Sequence, residues 1–223
     1  MSVAPATFRS RVRAAIEAPV AGFFGRLGFS PNALTLVGFG IAVIGAYFAA
    51  TQSWLIAGLV VAFGAIFDLF DGALARATGK VSKFGAFLDS TMDRAGEAVV
   101  YIGISIGLAD VGLIAGPQVA AAAMAAGFLV SYVRARSESL GFSSGSGMAS
   151  VGLAPREVRV AILIIGLVGG GYFVEPVRHF VPPWWIVIVG SLGLITLLST
   201  ITAIQRILFT YNQSRSQTQE VNH

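Results

Sequence analysis

The chain has no cysteine and only two histidines, His179 and His223. The first absence excludes disulfides and thiolate chemistry. Together they leave almost nothing from which to build a zinc site. Charge is scarce too. Asp, Glu, Lys and Arg make up 12% of the 223 residues, against roughly 25% in a typical soluble domain. Hydrophobic residues make up 55%, and the mean hydropathy is +0.77. Such a composition excludes a disordered chain and cannot cover the surface of an ordinary soluble globule. It is that of a polytopic membrane protein. The net charge of +4 comes from 15 basic and 11 acidic residues, and their positions matter more than their sum.

Six apolar stretches, approximately 33–51, 54–75, 84–109, 117–140, 157–174 and 183–209, each reach about 18 residues or more. That suffices to cross ~30 Å of hydrocarbon at ~1.5 Å per residue. The expected fold is all-α: six transmembrane helices preceded by an amphipathic juxtamembrane helix. Residues 1–223 read as a single membrane domain, with a juxtamembrane segment at 1–29 and a polar C-terminal tail at 210–223. The N-terminus does not read as a signal peptide, because Arg9, Arg11 and Arg13 precede no uninterrupted apolar core. Phe8, Val12, Ile16, Val20, Phe23, Phe24 and Leu27 instead recur at helical spacing, suited to a membrane surface or to the protein's own bundle. Ser30-Pro31-Asn32 marks a stop and a helix cap. Gln52-Ser53, Gly79-Lys80, Gly116-Pro117, the Gly/Ser-rich 143–147 and Pro182-Pro183 separate the spans.

Basic residues cluster in the N-terminus, around 76–83, around 134–159 and at the C-terminal end, whereas the opposite connections hold only Arg178. By the positive-inside rule, both termini are expected in the cytoplasm, with the protein in the plasma membrane. Trp54, Trp184 and Trp185 fall at span ends on the other face, where an aromatic belt is expected.

Five of the eleven acids, Asp68, Asp71, Asp89, Asp93 and Glu97, fall within 30 residues, in segments that cross or graze the bilayer. An Asp in such a place costs at least ~2.5–3.5 kcal/mol, so it needs a partner or a function. Nearby basic residues read as too few and too peripheral to neutralise four Asp. Asp68 and Asp71 are spaced i, i+3, and Asp89 and Asp93 i, i+4. Each pair therefore shares one helix face. Asp68 lies ~21 Å along its helix from the outer end, and Asp93 ~13 Å in from the cytoplasmic side. Two facing helices would present four carboxylates to one cytosol-open space. Hard oxygen ligands at this density suit Mg²⁺, Mn²⁺ or Ca²⁺, and two such ions could clamp a diphosphate. Gly72, Ala75 and Gly85 would admit a close partner or planar ligand. Arg76, eight residues beyond Asp68, could reach back towards a phosphate.

The run Asp68-x-x-Asp71-Gly72-x-x-Ala75-Arg76, eight residues, Gly85-x-x-x-Asp89-x-x-x-Asp93 resembles the complete signature of the CDP-alcohol phosphotransferase family. All eight fixed positions match over 26 residues, and the six-helix plan extends the resemblance across essentially the whole chain. The resemblance implies an integral membrane enzyme, usually a homodimer, that moves a phosphatidyl-type group from a CDP-linked lipid to an alcohol and releases CMP. It implies that Asp68, Asp71, Asp89 and Asp93 hold two divalent ions, Mg²⁺ or Mn²⁺, with Asp93 also the general base. Gly72, Ala75, Arg76 and Gly85 would shape the CDP-lipid pocket. Asn32 and Thr35 resemble a further family element there.

Arg134 and Arg136 end the fourth span, Arg156 and Arg159 open the fifth, and Arg206 is near the cytoplasmic end of the sixth. Guanidiniums converging on the Asp cavity would suit a phosphate dianion on the acceptor; positive-inside anchoring alone would also place them. Ser131-Tyr132-Val133-Arg134-Ala135-Arg136, Pro155-Arg156-Glu157-Val158-Arg159 and Gln205-Arg206 resemble the inositol-phosphate-using branch of the family. That implies CDP-diacylglycerol and inositol 1-phosphate as substrates, giving phosphatidylinositol phosphate and CMP. It places Arg134, Arg206 and either Arg156 or Arg159 on the acceptor phosphate. Glycerol 3-phosphate, as in a phosphatidylglycerophosphate synthase, is the alternative acceptor. Outside the family, a divalent-cation transporter would also use four carboxylates, but it needs access from both faces. An intramembrane prenyltransferase needs more spans than this chain supplies.

Overall fold

Two serine caps start the helices that frame the site. Ser30 has extended backbone and accepts the Ala33 N–H at 3.1 Å, with Pro31 in the first turn, where its missing N–H costs nothing. Ser82 likewise accepts the Gly85 N–H at 2.9 Å. The computed structural model describes residues 19, 22–142, 151–172 and 185–221, with side chains to residue 215. Among these, six long helices run in order: α1 (Pro31–Ala50), α2 (Trp54–Ala77), α3 (Lys83–Asp110), α4 (Gly116–Ser139), α5 (Arg156–Tyr172) and α6 (Trp185–Val221). They coincide with the six apolar stretches. The last helix continues to Val221, into the polar tail.

Four of these helices, α1, α2, α4 and α6, are long and apolar enough to cross a membrane. The other two are less clear-cut by composition. Helix α3 carries Asp89, Asp93, Arg94 and Glu97 in its first half, and α5 is described over 17 residues. The connections 51–53, 78–82 and 111–115 are short, so α1 to α4 alternate in direction.

Helix α1 packs on α2 and α3, α4 on α3 and α6, and α5 on α2 and α6. Small residues bring α1 and α3 into backbone contact. A Cβ on Gly103 or Gly107 would collide with the Ala46 or Ala49 carbonyl, and one on Gly96 would lie 3.2 Å from Ala42 Cβ. A continuous core of Val100, Tyr101, Ile104, Leu108, Leu163, Leu167, Ile188, Leu192 and Ile195 fills the space between α3, α5 and α6. Trp54 belongs to this core. It is 1% exposed and sits against Gly107, whose missing side chain makes room for the indole. The expected belt position for Trp54 is thereby corrected; Trp184 lies outside the described residues.

The amphipathic N-terminal segment also lies mostly outside them, as do 143–147 and Pro182-Pro183. Residues 22–26 are helical, and the Phe24 ring meets Phe29, Phe67 and Phe70 with centroids 5.8–5.9 Å apart. Phe24 thus packs on the protein's own bundle.

Candidate active site

The signature residues line two neighbouring cavities that share Thr35 and Asp89. The larger, about 250 Å³, lies where α1 and α3 begin and α2 ends. Asn32, Asp71, Gly72, Ala75, Arg76, Lys80, Ser82 and Gly85 form its walls. The smaller, about 60 Å³, lies deeper between α1, α2, α3 and α5. It is lined by Asp68, Asp93, Glu97 and Arg156 on its polar side, and by Phe39, Val61, Met92, Val100 and Leu163 on its apolar side.

Local geometry explains the small residues of the signature. Arg76 folds back one helical turn, so that a Cβ on Gly72 would lie 3.1 Å from its Nη1. Asn32 Oδ1 and Ser82 Oγ would be 3.4 and 3.1 Å from a Cβ on Gly85. On α1, a Cβ on Gly38 would come within 2.9 Å of Asp68 Oδ1. Only glycine at 38 leaves the Asp68 carboxylate where it is.

The four carboxylates share one region but do not meet at one point. Asp71 is 8% exposed. Its Oδ2 accepts the Thr35 hydroxyl at 2.7 Å, and its Oδ1 accepts the Gly72 N–H. Asp68 and Asp93 turn towards Arg156. A single guanidinium nitrogen, Nη2, lies 2.7 Å from Asp68 Oδ2 and 2.8 Å from Asp93 Oδ1. Asp89 stands in the wall between the cavities. Among the described residues, no three acidic or imidazole groups converge as a metal site. The expectation of four carboxylates facing one space is corrected to this extent, and the basic residues expected to be too few and too peripheral to neutralise four Asp include one, Arg156, that pairs with two of them. The donor chemistry nevertheless fits a hard divalent cation. Asp68 and Asp93 already grip a cationic group at contact distance, and that group is the side chain of Arg156.

The arginines of the last three helices take different places. Arg156 alone among them lines the carboxylate cavity. Arg159 is 1% exposed and forks onto Glu97, with Nε 3.1 Å from Oε1 and Nη2 3.2 Å from Oε2. Its Nη1 donates to the Ala154 carbonyl at 3.1 Å. Arg206 is buried and donates to the Val151 carbonyl at 3.0 Å and the Val130 carbonyl at 2.9 Å. Arg134 pairs with Glu138 on the exposed side of α4, at 2.8 Å. Of the five guanidiniums expected to converge on one cavity, Arg156 alone lines it.

Sequence reasoning missed the buried network behind the site. Glu97 receives Arg159 on one side and Arg94 Nη1 at 2.9 Å on the other, and the same Nη1 reaches Ser131 Oγ of α4 at 2.8 Å. This ties α3, α4 and α5 together one turn behind Asp93. Thr202 Oγ1 on α6 accepts the Leu153 and Ala154 N–H groups at 3.1 and 2.9 Å, pinning the chain just before Arg156. Glu97 carried a signal, as an intramembrane acid four residues beyond Asp93; Thr202 carried none.

Fold and site together define an all-helical protein with four helices long and apolar enough to cross a membrane and a carboxylate-lined cavity enclosed by α1, α2, α3 and α5. The family model for CDP-alcohol phosphatidyltransferases matches residues 29–169, and the chain belongs to that family of enzymes. It is 40% identical over 159 residues to the archaetidylinositol phosphate synthase of Pyrococcus horikoshii, covering 70% of this chain and 80% of the relative. It is 37% identical over 201 residues to the phosphatidylinositol phosphate synthase of Cutibacterium acnes, covering 85% and 89%. The crystal structure of the Mycobacterium tuberculosis phosphatidylinositol phosphate synthase with CDP-DAG bound superposes with a TM-score of 0.76 at 27% identity, covering 88% and 94%. The same enzyme in complex with manganese and citrate gives 0.74 at 28% identity, covering 88% and 89%.

Proposed function

We propose that the protein transfers a phosphatidyl group from CDP-diacylglycerol to inositol 1-phosphate, giving phosphatidylinositol phosphate and CMP. The observation that carries this reading is the pair of adjoining cavities. One is walled by the signature residues and the other holds Asp93 beside a guanidinium, with Asp89 between them. The names of the relatives and the lipid nucleotide bound to the structural neighbour support the same assignment.

In this reading the larger cavity takes the CDP-lipid. Arg76 and Lys80 face its diphosphate, and the capped N-termini of α1 and α3 add the positive ends of two helix dipoles. Asn32, Gly72, Ala75 and Gly85 leave room for the nucleotide. Asp68, Asp71, Asp89 and Asp93 would hold two divalent ions, Mg²⁺ or Mn²⁺, which when bound neutralise the diphosphate and the departing CMP oxygen. Thr35 holds Asp71 in place. Asp93 takes the proton of the acceptor hydroxyl as its oxygen attacks the β-phosphorus of the CDP-lipid. The phosphoanhydride bond breaks and CMP leaves, so no ATP is required. Arg156 meets the phosphate of the acceptor, Arg134 stays paired with Glu138 on the exposed side of α4, and Arg159 and Arg206 position the helices.

All six helices would span the plasma membrane, with both termini and the site on the cytoplasmic side, in a homodimer. The described basic residues Arg26, Arg76, Lys80, Lys83, Arg134, Arg136, Arg156 and Arg206 support that orientation. The deciding experiment gives purified protein CDP-diacylglycerol, Mg²⁺ and, one at a time, inositol 1-phosphate, free inositol, glycerol 3-phosphate or serine. CMP release with inositol 1-phosphate alone is expected. Release with glycerol 3-phosphate alone would move the assignment to that acceptor, and Mn²⁺ uptake into proteoliposomes without CMP release would favour a transporter.

A further inference from the structure

We propose that Arg156 is a built-in counter-cation, which closes the carboxylate site until a divalent ion displaces it and so makes metal loading precede capture of the phosphorylated acceptor. The inference rests on the metal-site reading above and adds an order to it.

Three observations carry it. The first is where the guanidinium sits. One nitrogen of Arg156 hydrogen-bonds Asp68 of α2 at 2.7 Å and forms an ion pair with Asp93 of α3 at 2.8 Å, so it holds carboxylates from two helices. These are two of the four oxygen donors the metal reading requires. Two facing carboxylates repel one another unless a cation or a shared proton lies between them. Arg156 supplies the cation from the chain itself. A divalent ion taking the same oxygens would sit against a like charge, so the guanidinium has to withdraw.

The second is what holds the arginine. Its backbone is anchored: Thr202 accepts the Leu153 and Ala154 N–H groups, Arg206 binds the Val151 carbonyl, and Arg159 binds the Ala154 carbonyl. Movement is therefore confined to the side chain, which pivots about a fixed point and stays within reach of the cavity.

The third is that the guanidinium is incompletely satisfied. Arg156 Nε is buried and has no hydrogen-bond partner among the described residues. A planar fork that uses one nitrogen on two acids and leaves Nε unmet has a better arrangement available, namely two parallel bonds to a phosphate. The expelled side chain is thus a preformed receptor for an anion. Because each event drives the same side chain the same way, metal and anion must favour one another reciprocally.

The test measures Mn²⁺ binding to the detergent-solubilised full chain without CDP-lipid, read as loss of the free Mn²⁺ electron-spin-resonance signal. Arg156→Gln is expected to bind Mn²⁺ tenfold or more tightly than wild type; equal or weaker binding by a variant with wild-type helicity and gel-filtration behaviour overturns the proposal. A second arm needs no variant. Inorganic phosphate, at fixed free Mn²⁺, is expected to tighten Mn²⁺ binding to wild type at least threefold, and an unchanged or weakened affinity counts against it. Asp93→Asn separates the two readings. If it leaves Mn²⁺ binding intact, the metal site itself is misassigned. If it abolishes binding while Arg156→Gln changes nothing, only the role of Arg156 fails.

Discussion

Replacing Arg159 by Met separates a structural arginine from a substrate-binding one. Arg159 is 1% exposed, and its forked contact with Glu97 lies among α3, α4 and α5. Removing one partner of a buried pair costs about 3–5 kcal/mol, because the other charge is left behind. Here Glu97 keeps Arg94 at 2.9 Å, which argues for the lower end. The Ala154 carbonyl also loses its donor, at about 1–3 kcal/mol if nothing replaces it. Methionine retains most of the packing. A combined loss of about 4–6 kcal/mol corresponds to a fall of roughly 8–24 °C in a melt of a chain this size. The assay is thermal unfolding in micelles, run beside steady-state CMP release. The double variant Glu97→Gln/Arg159→Met should recover part of the loss, since a neutral amide no longer needs a cation, with a coupling of about 0.5–3 kcal/mol. The KM for the CDP-lipid and for the acceptor should move together. An unchanged melting temperature with a selectively raised acceptor KM would refute the reasoning and make Arg159 a phosphate ligand.

Three further outcomes are expected. Asp93→Asn should abolish transfer while CDP-lipid binding survives, measured by CMP release and by retention of labelled CDP-lipid; full activity would remove Asp93 as base. Thr35→Val deletes the 2.7 Å bond to Asp71, a hydrogen bond to a charged group worth about 1.5–3 kcal/mol, so the melting temperature should fall by roughly 3–12 °C and kcat, through the misplaced Asp71, on the order of tenfold or more. Gly38→Ala places a Cβ 2.9 Å from Asp68 Oδ1 and should cut CMP release by more than tenfold, whereas Gly40→Ala, with open space around it, should leave it unchanged.

The split between what was legible and what was not follows residue by residue. Ser30-Pro31 and Ser82 announce the starts of α1 and α3, because capping is a local matter of one side chain and one turn of backbone. The carboxylate pairs at i, i+3 and i, i+4 could be placed on shared faces for the same reason. Trp54 misled, because a tryptophan at a span end suits an interface equally well until Gly107 is seen to open a place for it. Arg159 and Arg206 misled more. An arginine at a helix end looks alike whether it anchors, binds substrate or caps a carbonyl.

The amino-acid sequence by itself determined the apolar spans, the order of the helices, the spacing of the acids and, through that spacing, the family. Those properties depend on the rise and pitch of one helix at a time. Tertiary structure alone decided the partners. Thr35 meets Asp71 across 36 residues, Arg159 meets Glu97 across 62, and Arg156 meets Asp68 across 88. Such meetings depend on how far each helix is rotated about its axis and how closely its neighbour approaches. Contacts such as Gly103 on Ala46 set both, and no periodicity within a single segment encodes them.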